Sequence, residues 1–583
     1  MGSNPQSKLQ FGFTEEITPI MAALLLSEAT AESRDLLINL LAETLDSEKA
    51  FDVVSHPKLF LKLNDVLNDN PILYNAIVDM YDGMSEKVIW AGKLSREFLL
   101  KQGVGQGKIL SPDLYKLYIN KLLEILESSG NGFHIGINYA GSPTCADDVL
   151  LLESKPSNLQ ELTTDSYEYS KDHRFNLHPT KSEVASRISR SKDPYIKLGA
   201  TKVPHVTSIK HLGLERDLVN NKLTINSKIE SSRKATYQLL PAGLYGEHGV
   251  SMPAAKRLII SYTVPTLLYG VESLILTGND IKEMDTFFKS ILRNVLALRE
   301  GTATEALYIL SGILPIESMI HTRMLTLYGN IARLSHDHPL KCIARRQLVI
   351  KKSNSHSWFT QAIQIARKYE MESEFLDQLI TPMKKKEWKT FIKNRINTYW
   401  WNMLTDSADS KSSLCWLDLD FIGGQAHHIY PNYGCSSRMR VAAATRAKFI
   451  SGSFILQSTR SRFNQFKVDP TCPLCGYECE DLPHMLLECP KLDSARKIEL
   501  PIIKEILTEH GKWHDDITKR TFSILNCGHP SEYCTCDAKP YSKKKCDPFN
   551  RHCQARKINN TVNSMCLKIY NEHNNPNAYM VTC

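Results

Sequence analysis

The feature that most constrains this chain is a pair of acidic motifs set in apolar, strand-like sequence. The first runs Leu45-Asp46-Ser47-Glu48-Lys49-Ala50-Phe51-Asp52; the second, Cys145-Ala146-Asp147-Asp148, leads straight into Val149-Leu150-Leu151-Leu152. Like charges in apolar surroundings repel and are costly to desolvate, so a fold that buries these stretches must supply a cation beside the carboxylates. A divalent-metal site is the reading that fits, with Asp46 and Asp147 as bridging ligands and Asp148 as the accessory one. A lone Asp-Asp pair is ordinarily a surface turn; the apolar flanks and the remote Asp46-x5-Asp52 pattern argue against that here.

The chain has 583 residues, too many for a single hydrophobic core, and about two to four domains are expected. Its 71 basic and 63 acidic residues leave a net charge of +8, which permits a polyanionic partner without requiring one. No apolar run is long enough to span a membrane: Arg257 and Glu272 interrupt the nearest one, around Leu258–Gly270. Glu15 and Glu16 precede the short Met21–Leu26 stretch where a signal peptide would carry basic residues. A reducing, intracellular compartment is expected, nuclear and cytoplasmic.

Apolar periodicity predicts a helix over 18–42 leading into a strand at 43–45, so that Asp46 lies at a strand end. Helices are expected at 57–67, 70–82, 114–126 and 159–173, and a hairpin at 88–99 with Gly92 in its turn. Strands at 135–139 and 149–153 would flank Cys145–Asp148 as a hairpin tip beside the Asp46 strand. Further strands are expected at 184–188, 196–198 and 208–214, with a largely helical pattern after 221. Between Trp388 and Trp416 four tryptophans cluster near Lys384, Lys385, Lys386 and Lys389. Stacking on bases is one reading of that cluster; helix packing beneath a solvated lysine face is the favoured one.

Carboxylates from two separate elements offer oxygen ligands of the kind Mg²⁺ takes, and two such ions suit phosphoryl transfer onto a 3′-hydroxyl. Phe51, five residues after Asp46, is placed to floor an incoming sugar and exclude a 2′-hydroxyl; a core phenylalanine is the alternative. Asp52 is read as organising the following turn or capping the next helix. In Gln102-Gly-Val-Gly-Gln-Gly-Lys-Ile-Leu-Ser-Pro112, Gln106 and Gly107 allow close backbone approach to a nucleotide or template, and Ser111-Pro112 fits a helix start. A ligand-free surface loop is the alternative.

Taken with Gln10-Phe-Gly-Phe-Thr14, Pro179-Thr-Lys-Ser182 and His211-Leu-Gly-Leu214, these motifs resemble the reverse transcriptases of non-long-terminal-repeat (LINE-type) retrotransposons, in order and spacing over about residues 8–215. The resemblance implies an α+β right-hand polymerase: a palm with partial fingers (1–220), a helical thumb (221–330), a helical connection region (331–460), a small zinc knuckle (461–500) and a Cys-rich tail (501–583). It further implies that Asp46, Asp147 and Asp148 hold two magnesium ions, with manganese as a substitute, and that Phe51 is the sugar gate. Gln106 and Gly107 would contact template and nucleotide, Lys181 would lie near the palm, and Leu212 and Gly213 would belong to the primer grip. The implied activity is RNA-directed DNA polymerisation, with an RNA template, a DNA primer or target DNA, deoxynucleoside triphosphates and separate element proteins as partners.

Two departures from the family pattern stand out: Cys145 replaces an aromatic before Ala-Asp-Asp, and Gly105 replaces a basic residue or proline. Only 45 residues precede Asp46, fewer than the upstream basic fingers and endonuclease of such proteins require, so a truncated element with weak or absent autonomous polymerisation is expected. A nucleic-acid-binding protein that has lost catalysis, and a host splicing or maturation factor on a similar palm, are the competing readings. No Pro-Asp motif with a properly spaced Asp points to a restriction-like nuclease.

Cysteines crowd the C-terminal part: Cys472, Cys475, Cys479, Cys489, Cys527, Cys534, Cys536, Cys546, Cys553, Cys566 and Cys583. In an intracellular chain this favours metal over disulfides. Cys472-x2-Cys475-x8-His484-x4-Cys489 provides three thiolates and an imidazole for tetrahedral zinc, and resembles the C-terminal knuckle of the same family. Arg462, Lys467, Arg496 and Lys497 are expected to make a basic surface around it for nucleic acid. Cys527, Cys534, Cys536, Cys546 and Cys553, with His529 and His552, form a second zinc site or are scattered thiols.

Overall fold

The structure is a computed structural model that describes residues 6–188, 194–421, 423–430, 436–465, 467–533 and 553–574. It divides into two compact units: Met1–Lys228, Leu268–Asp280 and Ile320–Lys393 form one, and Ile229–Leu267, Ile281–Met319 and Asn394–Cys583 the other.

The centre of the first unit is a five-stranded sheet. Its strands lie in the spatial order His205–Val206, Glu183–Ser186, Leu41–Leu45, Asp148–Glu153, Thr144–Cys145. The middle strand, Leu41–Leu45, is antiparallel to both neighbours, and Leu45 pairs with Val149. One face buries Leu41, Leu45, Val149, Leu151 and Val184 in a core with Leu59, Leu63, Leu114, Leu122, Leu159 and Leu162 of the helices His56–Leu67, Ser111–Ser128 and Pro156–Asp172. On the other face Ala42, Leu150, Leu152 and Ala185 are buried as well. Covering on both faces explains why Val149–Leu152 is an uninterrupted apolar run and not an alternating one. Glu43 shares the core face, fully buried, and accepts a hydrogen bond from Thr163 Oγ1 at 2.5 Å; burial pushes its carboxyl up to about 8.

Two local expectations are corrected. The partner of Asp148–Glu153 in the acidic hairpin is Thr144–Cys145, whereas His134–Ile135 and Asn138–Tyr139 make a hairpin of their own. Gly136, with φ near +65°, permits that tight reversal in the middle of the expected 135–139 strand. Likewise 208–214 is not one strand: Ile209–His211 turns back on Leu214–Arg216, and Leu212 and Gly213, both at positive φ, form the turn. The hairpin expected at 88–99 holds in part: Ile89–Trp90 turns back on Lys93–Leu94 through Gly92, whereas Phe98–Leu99 pairs with Ser85–Glu86.

The first helix, Pro19–Asp35, is buried almost all round, including the acids Glu28 and Glu32. Glu28 accepts from Gln347 Nε2 (2.8 Å), Ser357 Oγ (3.0 Å) and the backbone N–H of Trp358 (2.6 Å), while Glu32 pairs with Arg346 and Lys351 at 2.9 and 2.7 Å. A buried carboxylate must be bonded, and these partners draw residues 339–368 into the unit that holds the acidic motifs. Both units therefore interleave along the sequence, and the blocks 221–330 and 331–460 contribute to each.

In the second unit the helix Ser437–Ile450 packs on Gln554–His573 around Arg446. That guanidinium is fully buried and donates to the carbonyls of Leu525 (2.7 Å) and Cys527 (2.8 Å) and to the amide oxygens of Asn559 and Asn563. Trp388 of the first unit is buried and donates from Nε1 to Leu325 O at 2.8 Å, as the helix-packing reading requires. No helix among the described residues is long and apolar enough to cross a membrane.

Candidate active site and metal centre

Asp46 follows the last paired residue of the central strand, and Asp148 opens the neighbouring one, opposite Cys145. Because Leu45 pairs with Val149, the sheet register alone sets Asp46 beside Asp148, with Asp147 in the adjoining turn. Burial raises the Asp147 carboxyl, and the Asp46 charge adds to it; Asp148 is raised by burial and then by Asp147 and Asp46. Cys145 is pushed up to about 12, by burial first and then by Asp148 and Asp147. Two raised carboxyl groups with a third carboxylate beside them are a hard oxygen donor set suited to Mg²⁺ or Mn²⁺.

The segment between the helix Pro156–Asp172 and the strand Glu183–Ser186 is tied to Asp46 as well. His178 N donates to Asp46 O (2.8 Å), Asp46 N donates to Ser182 Oγ (3.2 Å), and Lys181 Nζ lies 4.0 Å from Asp46 Oδ2. Pro179–Ser182 thus wraps the base of the first acidic motif.

Phe51 is half-buried, stacked on Tyr115 with centroids 4.5 Å apart and met edge-on by Phe13 at 6.4 Å. Burial, then Asp147 and Asp148, raises the Tyr115 hydroxyl well above its usual range, so this aromatic group lies within the field of the acidic pair. The Gly-rich loop is bolted to the same turn: Val104 N donates to Phe51 O and Gly103 N to Val54 O, both at 2.8 Å. A Cβ on Gly103 would sit 2.8 Å from Asp52 O. Gln106 and Gly107 are exposed beyond that anchor, Gly107 with open space around it. Asp52 does not cap the next helix, whose N-cap is Ser55; its Oδ1 instead faces Gln106 Nε2 at 3.5 Å.

Leu212 and Gly213 present backbone carbonyls. Tyr269 Oη donates to Leu212 O (3.3 Å) and Lys228 Nζ to Gly213 O (3.1 Å), with the lysine 4.8 Å from the Tyr269 ring centroid. Tyr269 was not singled out by the sequence. Burial raises its hydroxyl first, and Cys145, Glu272 and Asp148 add to the shift. The Leu268-Tyr-Gly-Val271 stretch could have signalled it: Gly270 has φ near +79° and no room for a Cβ beside Leu214.

In the second unit Cys472, Cys475, His484 and Cys489 bring one ligand atom each within 4.8 Å of one another, the one such set of three or more groups among the described residues. The local chain builds it. Gly476 N donates back to Cys472 O and Cys472 N to Tyr477 O, Asp481 Oδ1 receives His484 N, and the Tyr477 ring stacks on His484 at 4.4 Å. Cys475 Sγ lies 3.2 Å from His484 Nε2. Burial raises the Cys472 and Cys489 thiols, and neighbouring thiols add to it, the situation a tetrahedral zinc relieves by taking thiolates. Cys479 stays outside the set. Arg496 is not the expected surface cation: it is buried, bonded to Asp493 and to the Cys489 carbonyl, whereas Arg462, Lys467 and Lys497 are exposed. Cys534, Cys536, Cys546, Cys583 and His552 lie outside the described residues; Cys527 and Cys553 are buried.

The family model of reverse transcriptase (RNA-dependent DNA polymerase) matches residues 10–216. The chain is 24% identical to the Pol polyprotein of a type-1 R2 retrotransposable element of Popillia japonica, over 64% of this chain and 59% of that protein. It is 24% identical to the RNA-directed DNA polymerase of the mobile element jockey of Drosophila funebris, over 46% of this chain and 29% of that one. A type-2 R2 element polyprotein of Drosophila melanogaster is 31% identical over 20% of this chain and 11% of its own length. The chain therefore spans about three fifths or less of the curated relatives it matches. Together with the acidic hairpin and its sheet, these matches place in residues 10–216 the reverse-transcriptase domain of a non-long-terminal-repeat retrotransposon.

Proposed function

We propose that the chain is an RNA-directed DNA polymerase that extends a primer 3′-hydroxyl with deoxynucleotides on an RNA template. The observation that carries this reading is the register that sets Asp46 beside Asp148 and Asp147 at the ends of two paired strands. Those three carboxylates would hold two Mg²⁺ or Mn²⁺ ions, which supply charge neutralisation at the attacking and leaving oxygens when bound.

The chain's own groups orient the reactants. Phe51, braced by Tyr115, gates the sugar; Gln106 and Gly107 lie against template and nucleotide on a loop anchored to the Phe51 turn. Lys181 lies near Asp46 and balances part of its charge between turnovers. The Leu212–Gly213 turn, held by Tyr269 and Lys228, supports the primer end.

In this reading the sheet and its helices are the palm (within 1–220, with partial fingers), 221–330 the thumb and 331–460 the connection region. Residues 461–500 form a zinc knuckle and 501–583 a Cys-rich tail. Zinc at Cys472, Cys475, His484 and Cys489 holds the knuckle, and Arg462, Lys467 and Lys497 meet the phosphates of an RNA template or target DNA. Separate proteins of the same element would act beside it, in nucleus and cytoplasm.

Primer extension on poly(rA) with dTTP and Mg²⁺ or Mn²⁺ tests the reading. Incorporation, weak in this chain and abolished by Asp147→Asn, is the expected result. Salt-sensitive nucleic-acid binding with no incorporation under either cation would replace it with a non-catalytic binding protein.

A further inference from the structure

The segment Leu9–Phe13 lies along the acidic hairpin as a strap. Phe11 N donates to Thr144 O at 2.7 Å and Thr144 N donates to Leu9 O at 2.9 Å, so the strap runs parallel to the strand that leads into the acidic turn. Between them Gln10 is only 1% exposed. Its Oε1 accepts from two backbone donors, Ala146 N at 2.8 Å and Gly12 N at 2.9 Å, and Nε2 faces Ala146 O at 3.5 Å. Two N–H groups aimed at one atom fix which end of the amide it is.

The residue thus gripped is strained. Ala146 has φ near +58°, a left-handed conformation that an alanine rarely adopts and that surrounding structure must enforce. It immediately precedes Asp147, so its backbone angles set where that carboxylate lies. Gly12 closes the grip from the other side: a Cβ there would sit 2.5 Å from Ala146 N. At the far end Lys116 Nζ donates to Phe13 O at 2.8 Å and pins the strap to the helix Ser111–Ser128.

We infer that Gln10 is a positioning residue of the metal site: by holding Ala146 in its left-handed conformation against Gly12, it aims Asp147 at the cation. The inference rests on the metal-binding part of the function proposed above and not on polymerisation itself. It also gives a physical role to Gln-Phe-Gly-Phe at 10–13, where a side-chain amide and a missing Cβ are both needed around a single peptide.

The test is Mn²⁺ binding to the full chain followed by electron paramagnetic resonance, with Asp147→Asn defining the site and thermal unfolding followed in parallel. Gln10→Ala should weaken the Asp147-dependent binding roughly tenfold. Glycine accepts positive φ without enforcement, so adding Ala146→Gly to Gln10→Ala should restore the affinity to within about threefold. A strap that served packing alone would not be rescued by that change. Gly12→Ala keeps the amide but crowds the turn, and should weaken binding in the same direction.

Unchanged Mn²⁺ affinity in Gln10→Ala, or a loss that Ala146→Gly does not recover, would overturn the inference. Failure of both Gln10→Ala and Gly12→Ala to fold would assign the strap to stability and overturn it equally. Wild-type chain that binds Mn²⁺ through Asp147 yet extends no primer would refute the polymerase reading and leave the strap's role to the variants. Wild-type chain with no Asp147-dependent binding would remove both.

Discussion

The two candidate metal centres of this chain are built in opposite ways. The thiol–imidazole set is assembled within residues 472–489, by turns whose donors and acceptors lie a few residues apart. The carboxylate set draws on residues near 10, 46, 115, 147, 181 and 269, joined only once the sheet has its register. A local site has its ligands brought together by its own turns, although the segment also packs through Met485 and Leu486 and is bonded through Glu480 to Gln457 and His573. A nonlocal site depends on the fold to bring like charges together, and the fold must hold them there against their repulsion.

The contrast can be broken most decisively at Asp147. Asp147→Asn should reduce nucleotide incorporation by at least about a thousandfold while leaving the melting temperature unchanged or raised, since one of the mutually repelling carboxylates is gone. A variant that unfolds instead would mean the acidic set supports the fold, as the knuckle ligands do theirs. The converse experiment is zinc removal or Cys475→Ala. Metal analysis of the full chain should show zinc bound, and its loss should open residues around 470–490 to limited proteolysis while residues 10–216 resist cleavage.

Phe51→Val sharpens the comparison at the level of selectivity. A smaller side chain on the Tyr115 platform should relax discrimination against ribonucleotides by roughly ten- to a hundredfold, read from the ratio of kcat/KM for dTTP and UTP. Glu43 reports on the sheet beneath the site. Burial pushes its carboxyl up to about 8 in the folded chain, from the ordinary carboxylate range near 4.5, so the unfolded chain loses that proton first as pH rises. Stability is therefore full below about pH 4.5, falls between there and about 8, and levels off above. Glu43→Gln should raise the melting temperature at pH 8 more than at pH 5, by a gain bounded at about 5 kcal/mol. The smallest expected effect is that of Tyr269→Phe: one hydrogen bond to Leu212 is lost, and the primer KM should rise by about two- to fivefold with kcat nearly kept.

The same contrast explains what the sequence could reveal. The four-ligand cluster at Cys472, Cys475, His484 and Cys489 was legible, because ligand spacing and turn chemistry are local properties. Asp46, Asp147 and Asp148 were legible as a group because charge in apolar strands is anomalous anywhere, and the central strand was placed to within a few residues. The hairpin partner was not: 135–139 has the alternation of a strand, and only the reversal at Gly136 removes it from the sheet. For the same reason 208–214 read as a single strand, although its glycine at 213 marked the turn. Tyr269 went unread and Arg496 was misplaced for a different cause. A side chain's role there is decided by a backbone carbonyl, Leu212 O in one case and Cys489 O in the other, and carbonyls leave no trace in residue identity.

The buried carboxylates of the first helix carry a consequence for the order in which the molecule is made. Glu28 is synthesised more than three hundred residues before Gln347, Ser357 and Trp358, the groups that satisfy its acceptor oxygens. Until those residues have been synthesised, the helix Pro19–Asp35 can hide its apolar surface only by also hiding an unbonded acid, which burial forces toward the protonated form. The helix must therefore wait for more than three hundred residues of later chain before the unit that bears the acidic site can close around it.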